Sequence, residues 1–378
     1  MRIVLSGGGS GGHLTPLLTV ASALKQLAPQ AELVYIGDRR PLTERLMAHQ
    51  GFSTRYILAG KWRRYRGQNW WQRLFDIGTW LLNLRDLLKL VLGFFQSLAI
   101  LIHRRPQVVF VKGGYVGLPV GMAAWLLGIP LIIHESDAIP GLTNRLLAHL
   151  AKTVAVSWPT RYFAMWQHKH LVFTGNPVRS EIVTGDPVAA RRLWKLETKV
   201  PTLLVMGGSY GSQIINRQII SQLPRLLKRW QVIHISGAVD LDRVKQLFDR
   251  LGLTAQQRQR YHLVDFLNEQ LAAAYAVADI IVARAGMNTI SELALLGKPA
   301  ILIPHRVSPG GHQQRNAELL ESHQAALILA EGQLGRLAEM VDQLRAAIPQ
   351  QQLLRKGWTK LAKPEAAQLV AQEIIKLI

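Results

Sequence analysis

The sequence predicts an α/β chain made of two doubly wound, Rossmann-like domains with parallel sheets. Three observations carry this. Short apolar runs alternate with stretches whose apolar residues recur at helical spacing, the rhythm of βαβ units. Each half of the 378-residue chain opens in the same way, with strand, glycine-rich loop and helix: RIVLSGGGSGGHL at the start and TLLVMGGSYGS at residues 202–212. Around residues 175–187 the texture changes to TGNPVRSEIVTGDP, whose glycines, prolines and polar residues read as a linker.

The elements follow in order. Residues 2–5 (RIVL) form the first strand and Leu14–Leu27 the first helix; residues 32–37 (ELVYIG) form the second strand. Strands return at 108–112 (VVFVK), 130–134 (PLIIH) and 153–157 (TVAVS), with helices between them. The second half places strands at 202–206, 231–235, 261–264, 279–283 and 299–303. The stretch Pro364–Ile378 reads as an amphipathic helix. The expected domains are 1–178 and 179–357, facing a central cleft, with a helix at about 358–378 packing back on the first.

At 49% hydrophobic and 18% charged, the chain folds. It has no cysteine, which excludes disulfides and thiolate chemistry and favours a reducing compartment. The opening MRIVLSGGG is too brief an apolar run for a secretory signal. Lysine and arginine number 45 against 24 acidic residues, a net charge of +21. Nucleic acid, an anionic membrane or phosphorylated substrates would each suit that charge. No RNP, KH, zinc-finger or basic-zipper signature is present, so no nucleic-acid partner is expected.

Residues 61–105 break the alternation. KWRRYR is followed by NWWQRLFDIGTWLLNLRDLLKLVLGFFQSLAILIHRR. Arg85, Asp86 and Lys89 interrupt the apolar run, and the remainder, Leu90–Ile102, is too short to span a bilayer. The segment Lys61–Ile102 reads either as a buried crossover or as helices with a basic, aromatic outer face lying on an anionic membrane.

A glycine loop between a strand and a helix presents backbone N–H groups at the positive end of that helix, which suits phosphate. Two such loops point to a phosphorylated ligand. Gly7, Gly9 and Gly12 fit the dinucleotide pattern, but Asp38 after the second strand is followed by Arg39 and Arg40. No Gly-Lys-Ser/Thr P-loop is present. The DxD-like triplet Asp240-Leu241-Asp242 reads as helix capping and not as a metal site.

The stretches GGGSGGHLTP (7–16), GGYVGLPVGMAAWLLGIPLIIHESDAIPGLTNR (113–145), GNPVR (175–179), GGSYGS (207–212), RAGMNTISELALLGKP (284–299) and HQQRNA (312–317) resemble, in order, the MurG family. The resemblance implies a GT-B fold and an inverting transfer of N-acetylglucosamine from UDP-N-acetylglucosamine to lipid I. The product is lipid II of peptidoglycan synthesis. It implies no cofactor or metal, and a peripheral position on the cytoplasmic face of the plasma membrane.

Transfer requires the acceptor hydroxyl to lose a proton and the leaving diphosphate to be stabilised. The resemblance points to His13 as the base; the other reading of His13 is a ring that only hydrogen-bonds its loop. Glu135, in HESD, is the second candidate. Substrate contacts are implied at Ser10, Gly11, Gly12, Asp137 and Asn144. Arg179 and Ser209 would meet UDP, and Leu267 would lie beside it. The amides of Met287, Asn288 and Thr289 would hold the diphosphate, with Ile290 and Ser291 in the same run. Glu292 either holds the ribose hydroxyls or closes a capping box with Thr289. Gln313 and Gln314 resemble a glutamine pair that reads the sugar. Two features depart from the family: Asp137 stands where many members carry asparagine, and the loop 306–311 is longer.

Competing readings keep the fold and change the chemistry. One is a related transferase with another lipid acceptor, such as a diacylglycerol. Another is a soluble UDP-sugar 2-epimerase.

Overall fold

In the computed structural model, which describes residues 1–9, 11–48, 50–61, 76–208 and 211–378, the chain divides into two units. One is Met1–Val178 with Glu365–Ile378, and the other is Arg179–Pro364.

The first unit carries strands β1 Arg2–Ser6, β2 Glu32–Gly37, β3 Ser53–Tyr56, β4 Val108–Val111, β5 Leu131–Glu135, β6 Thr153–Val156 and β7 His170–Phe173. Among the described residues they form a parallel sheet of order β3-β2-β1-β4-β5-β6-β7. The winding reverses between β1 and β4, so a crevice opens beyond their carboxyl ends, where ligands gather in such sheets. Helix α1 (Gly11–Leu27) buries Leu14, Leu17, Val20 and Leu24, one face at 3.6-residue spacing, in a core shared with Ile3, Leu5 and Phe110.

Helix α2 (Ile77–Arg104) is followed by α3 (Gly117–Leu126), against which it packs, and α4 (Leu142–Ala148). Asp76 caps α2: its Oδ1 accepts from the Thr79 amide at 3.0 Å. The face α2 turns inward is mostly polar or small, with Asn83, Asp86, Gly93 and Ser97 buried and Leu101 the apolar residue of its last turn. Asp86 Oδ2 accepts from the Lys61 amide at 3.2 Å, and Gln96 Oε1 accepts from that of Leu58 at 2.7 Å. Trp80, Leu81, Leu84, Leu88, Leu92 and Phe95 face outward. This inverts the usual arrangement of a surface helix. The helix is continuous over 78–104, long and apolar enough to cross a membrane by length and composition. That corrects the expectation built on Leu90–Ile102 alone. The described outer face is also apolar rather than basic; most of the expected basic and aromatic block, residues 62–75, lies outside the described residues.

The second unit carries β8 Thr202–Met206, β9 Gln231–Ile235, β10 Tyr261–Val264, β11 Ile280–Ala283, β12 Ala300–Leu302 and β13 Leu327–Ile328. Their order, β10-β9-β8-β11-β12-β13, reverses between β8 and β11. The helices that matter for the site are α5 (Gln213–Leu226), α6 (Leu271–Val277), α7 (Met287–Leu296), α8 (His312–Ser322) and α9 (Ile348–Leu361). The core joins Leu203, Val205, Ile219, Trp230, Val282 and Ile301.

The expected terminal helix is two. α9 ends at Leu361 in the second unit, and α10 (Ala366–Ile375), beyond Pro364, returns to the first. There Val370, Ala371 and Ile374 join the core under α1. Strands β3, β7 and β13 were not expected: STRY, HLVF and LI are short, lie at or near sheet edges and lack a long apolar run. Asp240 does precede a helix, Leu241–Asp249, but its carboxylate accepts from Asn216 Nδ2 at 2.7 Å rather than capping the backbone.

Candidate functional site

In the first unit, the loops after β1 and β4 lie together at the switch point. Gly9 has φ +87°, and a Cβ there would lie 2.6 Å from Cε1 of Tyr115, so the tyrosine ring rests directly on the loop backbone. The Tyr115 hydroxyl donates to Asp38 Oδ2 at 2.5 Å, and Arg40 Nε pairs with the same oxygen at 2.8 Å. Tyr35 Oη donates to the Gly7 carbonyl at 2.7 Å. Asp38, which in a dinucleotide fold would hold a ribose, is thus occupied in bracing the loop.

Gly11, Gly12 and His13 open α1, so helix starts three residues earlier than the apolar pattern suggests. The His13 ring lies over Gly113: a Cβ on that glycine would sit 3.5 Å from its Cε1 and Nδ1 and 3.3 Å from Asn144 Nδ2. With φ +103° and this approach, position 113 requires glycine. His13, Asn144 and Glu135 are therefore gathered at one place.

Glu135, however, is fully engaged. Its Oε1 accepts from the Asp137 amide at 2.9 Å, and its Oε2 accepts from the Gly141 amide at 3.0 Å and Asn144 Nδ2 at 2.9 Å. Asn144 Nδ2 also donates to the His134 carbonyl at 3.0 Å. The carboxylate thus ties the loop 136–141 to the start of α4. Burial pushes the Glu135 carboxyl up, the charge of Asp137 acts in the same direction, and the donors oppose.

Across the strand ends, Lys112 is buried and donates to Ser136 Oγ, which donates to Asn176 Oδ1 at 3.2 Å. Burial draws the Lys112 ammonium down to about 8, against the pull of Glu135 and Asp137. His134 is held well below its usual value, first by burial and next by Lys112. Its neutral ring bonds through Nε2 to the Gly175 carbonyl at 2.9 Å, fastening the GNP segment to β5.

In the second unit, the loops after β8, β11 and β12 line the other switch point. Gly286 caps α7, so Met287, Asn288 and Thr289 form its first turn, with their amides at the positive end of the helix. This overturns the capping box, since Thr289 is already inside the helix. The Glu292 carboxylate instead accepts from Tyr275 Oη of α6 at 2.7 Å. Burial raises Glu292 against the pull of the Tyr275 hydroxyl and then of the Arg179 charge, to about 7. Arg179 Nη1 donates to Asn268 Oδ1 at 2.8 Å, beside buried Leu267.

Gln313 opens α8 with its Oε1 accepting from the His305 amide at 2.9 Å, which turns its Nε2 away as a donor. Its own amide donates to Ser308 Oγ at 3.3 Å, so the loop 306–311 is folded onto the helix start. Gln314 is exposed beside it. Ile290 and Ser291 do not contribute side chains: Ile290 is in the core, and Ser291 Oγ donates back to the Met287 carbonyl at 2.8 Å. Ser10 and Ser209 lie outside the described residues.

Sequence reasoning missed Arg284. Its Nη2 donates to Ser212 Oγ at 2.7 Å, and its Nη1 reaches Glu331 Oε1 at 2.6 Å and the Ile303 carbonyl at 3.2 Å. His305 Nδ1 lies 3.3 Å from the same Glu331 oxygen. Burial would raise the Glu331 carboxyl, but Arg284 and His305 together hold it below its usual value. One guanidinium thus joins the second glycine loop to the segment that carries Gln313. Among the described residues, no group of His, Asp and Glu side chains could hold a metal ion.

The glycosyltransferase family 28 N-terminal domain matches residues 3–156 and the family's C-terminal domain residues 202–370. A Clostridium kluyveri protein named UDP-N-acetylglucosamine--N-acetylmuramyl-(pentapeptide) pyrophosphoryl-undecaprenol N-acetylglucosamine transferase is 37% identical over 87% of this chain and 86% of its own. The crystal structure of Acinetobacter baumannii MurG is similar over 99% of both chains, with TM-score 0.70 and 26% identity. A UDP-GlcNAc 2-epimerase from Neisseria meningitidis, bound to UDP-GlcNAc, covers 100% of both chains with TM-score 0.68 at 12% identity, a likeness of GT-B fold alone. With both family domains matched in order and a relative of this identity over most of its length, the chain belongs to glycosyltransferase family 28.

Proposed function

We propose that this protein transfers N-acetylglucosamine from UDP-N-acetylglucosamine to lipid I, making lipid II, at the cytoplasmic face of the plasma membrane. The observation that carries the reading is the 37% identity to the Clostridium kluyveri transferase over 87% of the chain. The gathering of the motif residues at the two switch points supports it.

In this reading the acceptor's diphosphate meets the glycine loop at 7–12 and the start of α1, where backbone amides and the helix dipole favour an anion. His13 removes the proton from the acceptor hydroxyl as it attacks the sugar's anomeric carbon. Glu135 acts as a positioning residue, because its oxygens are engaged by Asp137, Gly141 and Asn144. On the donor side, Arg179 and the backbone by Leu267 meet the nucleotide, Glu292 takes the ribose hydroxyls, and Gln313 and Gln314 read the sugar. The amides of Met287–Thr289 and the loop containing Ser209 stabilise the UDP leaving group. No metal is needed for that stabilisation.

The outer face of α2, extended by exposed Met122, Trp125 and Leu126 on α3, is the surface we propose rests on the membrane. Replacing Leu88 and Leu92 together by glutamate lowers the fraction pelleting with anionic phospholipid vesicles by about tenfold or more. Transfer to a water-soluble acceptor stays unchanged. Pelleting equal to wild type would remove α2 from the membrane contact.

The function is tested by offering the enzyme labelled UDP-N-acetylglucosamine, UDP-N-acetylgalactosamine and UDP-glucose with lipid I or a diacylglycerol. Label enters only lipid I, and only from the first donor. Label in the diacylglycerol, or a 2-epimer of the UDP-sugar formed without acceptor, would replace the reading with one of its competitors.

A further inference from the structure

We infer that Tyr275 is a positioning residue of the donor site. Its hydroxyl holds one oxygen of the Glu292 carboxylate and leaves the other, ionised, for the ribose hydroxyls of the nucleotide. The inference rests on the reading of Glu292 as the ribose ligand.

The geometry that carries it joins three elements. Tyr275 is on α6, is fully buried and donates to Glu292 Oε2 of α7 at 2.7 Å. The same hydroxyl lies 3.4 Å from Met206 Sδ, at the end of β8 where the second glycine loop begins. Tyr275 therefore fixes the carboxylate relative to the base of that loop. Glu292 cannot cap its own helix, because α7 begins at Met287 with Gly286 as its cap. A half-buried carboxylate with no helix-capping duty that, among the described residues, accepts from the one donor Tyr275 Oη is arranged to accept further donors, which ribose hydroxyls supply.

The bond also sets the protonation state. Burial drives the Tyr275 phenol well above its usual range, so it stays a donor at all working pH values. A hydroxyl that donates to a carboxylate favours its ionised form. Burial raises Glu292 to about 7 against the pull of two groups, Tyr275 from α6 and Arg179 from the segment before the 3-10 turn Ser180–Val183. A protonated Glu292 loses an acceptor for ribose. UDP affinity therefore rises with pH through about 7 and levels off above it. Removing the Tyr275 hydroxyl moves that midpoint upward by about one to two pH units, the worth of a hydrogen bond to a charged group.

The test is the Kd of UDP measured by titration calorimetry between about pH 6 and pH 9 for the wild type, Tyr275→Phe, Glu292→Gln, Glu292→Ala and Tyr275→Phe/Glu292→Gln. Tyr275→Phe weakens UDP binding by about tenfold at pH 7 and by little at pH 9. Its kcat at saturating donor is unchanged. Glu292→Gln binds weakly at every pH, and the double variant is no weaker. If Tyr275→Phe loses affinity equally at every pH, or the double variant is weaker than Glu292→Gln, Tyr275 acts on packing and the inference fails. If Glu292→Ala binds UDP as the wild type does, the ribose reading itself fails, whatever Tyr275→Phe does. Should Tyr275→Phe not fold, the inference stands or falls on the wild-type profile: a flat profile overturns it, and a rise that Glu292→Gln abolishes supports it.

Discussion

Replacing His13 by alanine lowers kcat for sugar transfer by about two to four orders of magnitude, the range for a general base. The Kd of UDP stays at its wild-type value. The contrast follows from where the groups lie. His13 opens α1 in the first unit, and its ring rests over Gly113 beside Asn144. Every residue assigned to the nucleotide belongs to Arg179–Pro364. A base acts on the acceptor hydroxyl only in the transition state, so its removal changes kcat and leaves donor binding intact. Pre-steady-state transfer and calorimetry on the same preparation measure both quantities. A kcat within about threefold of wild type would reduce His13 to bracing its loop.

Replacing Glu135 by alanine or glutamine gives the second large effect, and it is structural first. Alanine removes the acceptor of the Asp137 and Gly141 amides and one of the two acceptors of Asn144 Nδ2, which keeps the His134 carbonyl. Each unsatisfied buried donor costs about 1–3 kcal/mol, and water entering the vacated space offsets part of it; a net loss of about 2–4 kcal/mol is expected. Glutamine is close in shape but turns an NH2 toward at least one of these donors, so it also destabilises, by about 1–3 kcal/mol. Both variants lower kcat, because Asn144 is held beside His13 by fewer bonds. Urea unfolding with unchanged m-value measures the stability term. A free catalytic carboxylate would behave differently: glutamine would abolish transfer with no loss of stability.

The central strands were legible in the sequence because their side chains are buried on both faces. RIVLS, VVFV, LIIHE, TLLVM and IIVA are near-continuous apolar runs. STRY, HLVF and LI carry no such run, since strands toward a sheet edge are covered less, and only pairing reveals them. Helix α2 misled for a related reason. Its inward face is Asn83, Asp86, Gly93 and Ser97, so the usual equation of apolar with buried has the wrong sign there.

The glycine loops, and His13 at the end of the first, stand out by residue type and position, whereas Asn144 and the α7 start are pointed to by the family resemblance. The residues that brace them were not legible. Tyr275 sits in AAAYAVAD and looks like core filling, and its bond to Glu292 exists only through the packing of α6 on α7. Arg284 and Glu331 are far apart in sequence; Arg284 follows β11 and Glu331 follows β13, and the two meet because both strands flank β12 in the sheet. The same separation concealed that Asp38 braces Tyr115. For Glu292, Thr-x-x-Glu spacing fits a cap while the family resemblance implies a ribose ligand, and the position of Gly286 decides against the cap.

The most direct test of the account is a single-turnover reaction of the purified wild-type enzyme with labelled UDP-N-acetylglucosamine and a short-chain lipid I analogue. The account predicts that label appears in a disaccharide-bearing lipid, in step with UDP release. UDP released with the label free in water, or label retained in a UDP-sugar while lipid I stays unmodified, would contradict it.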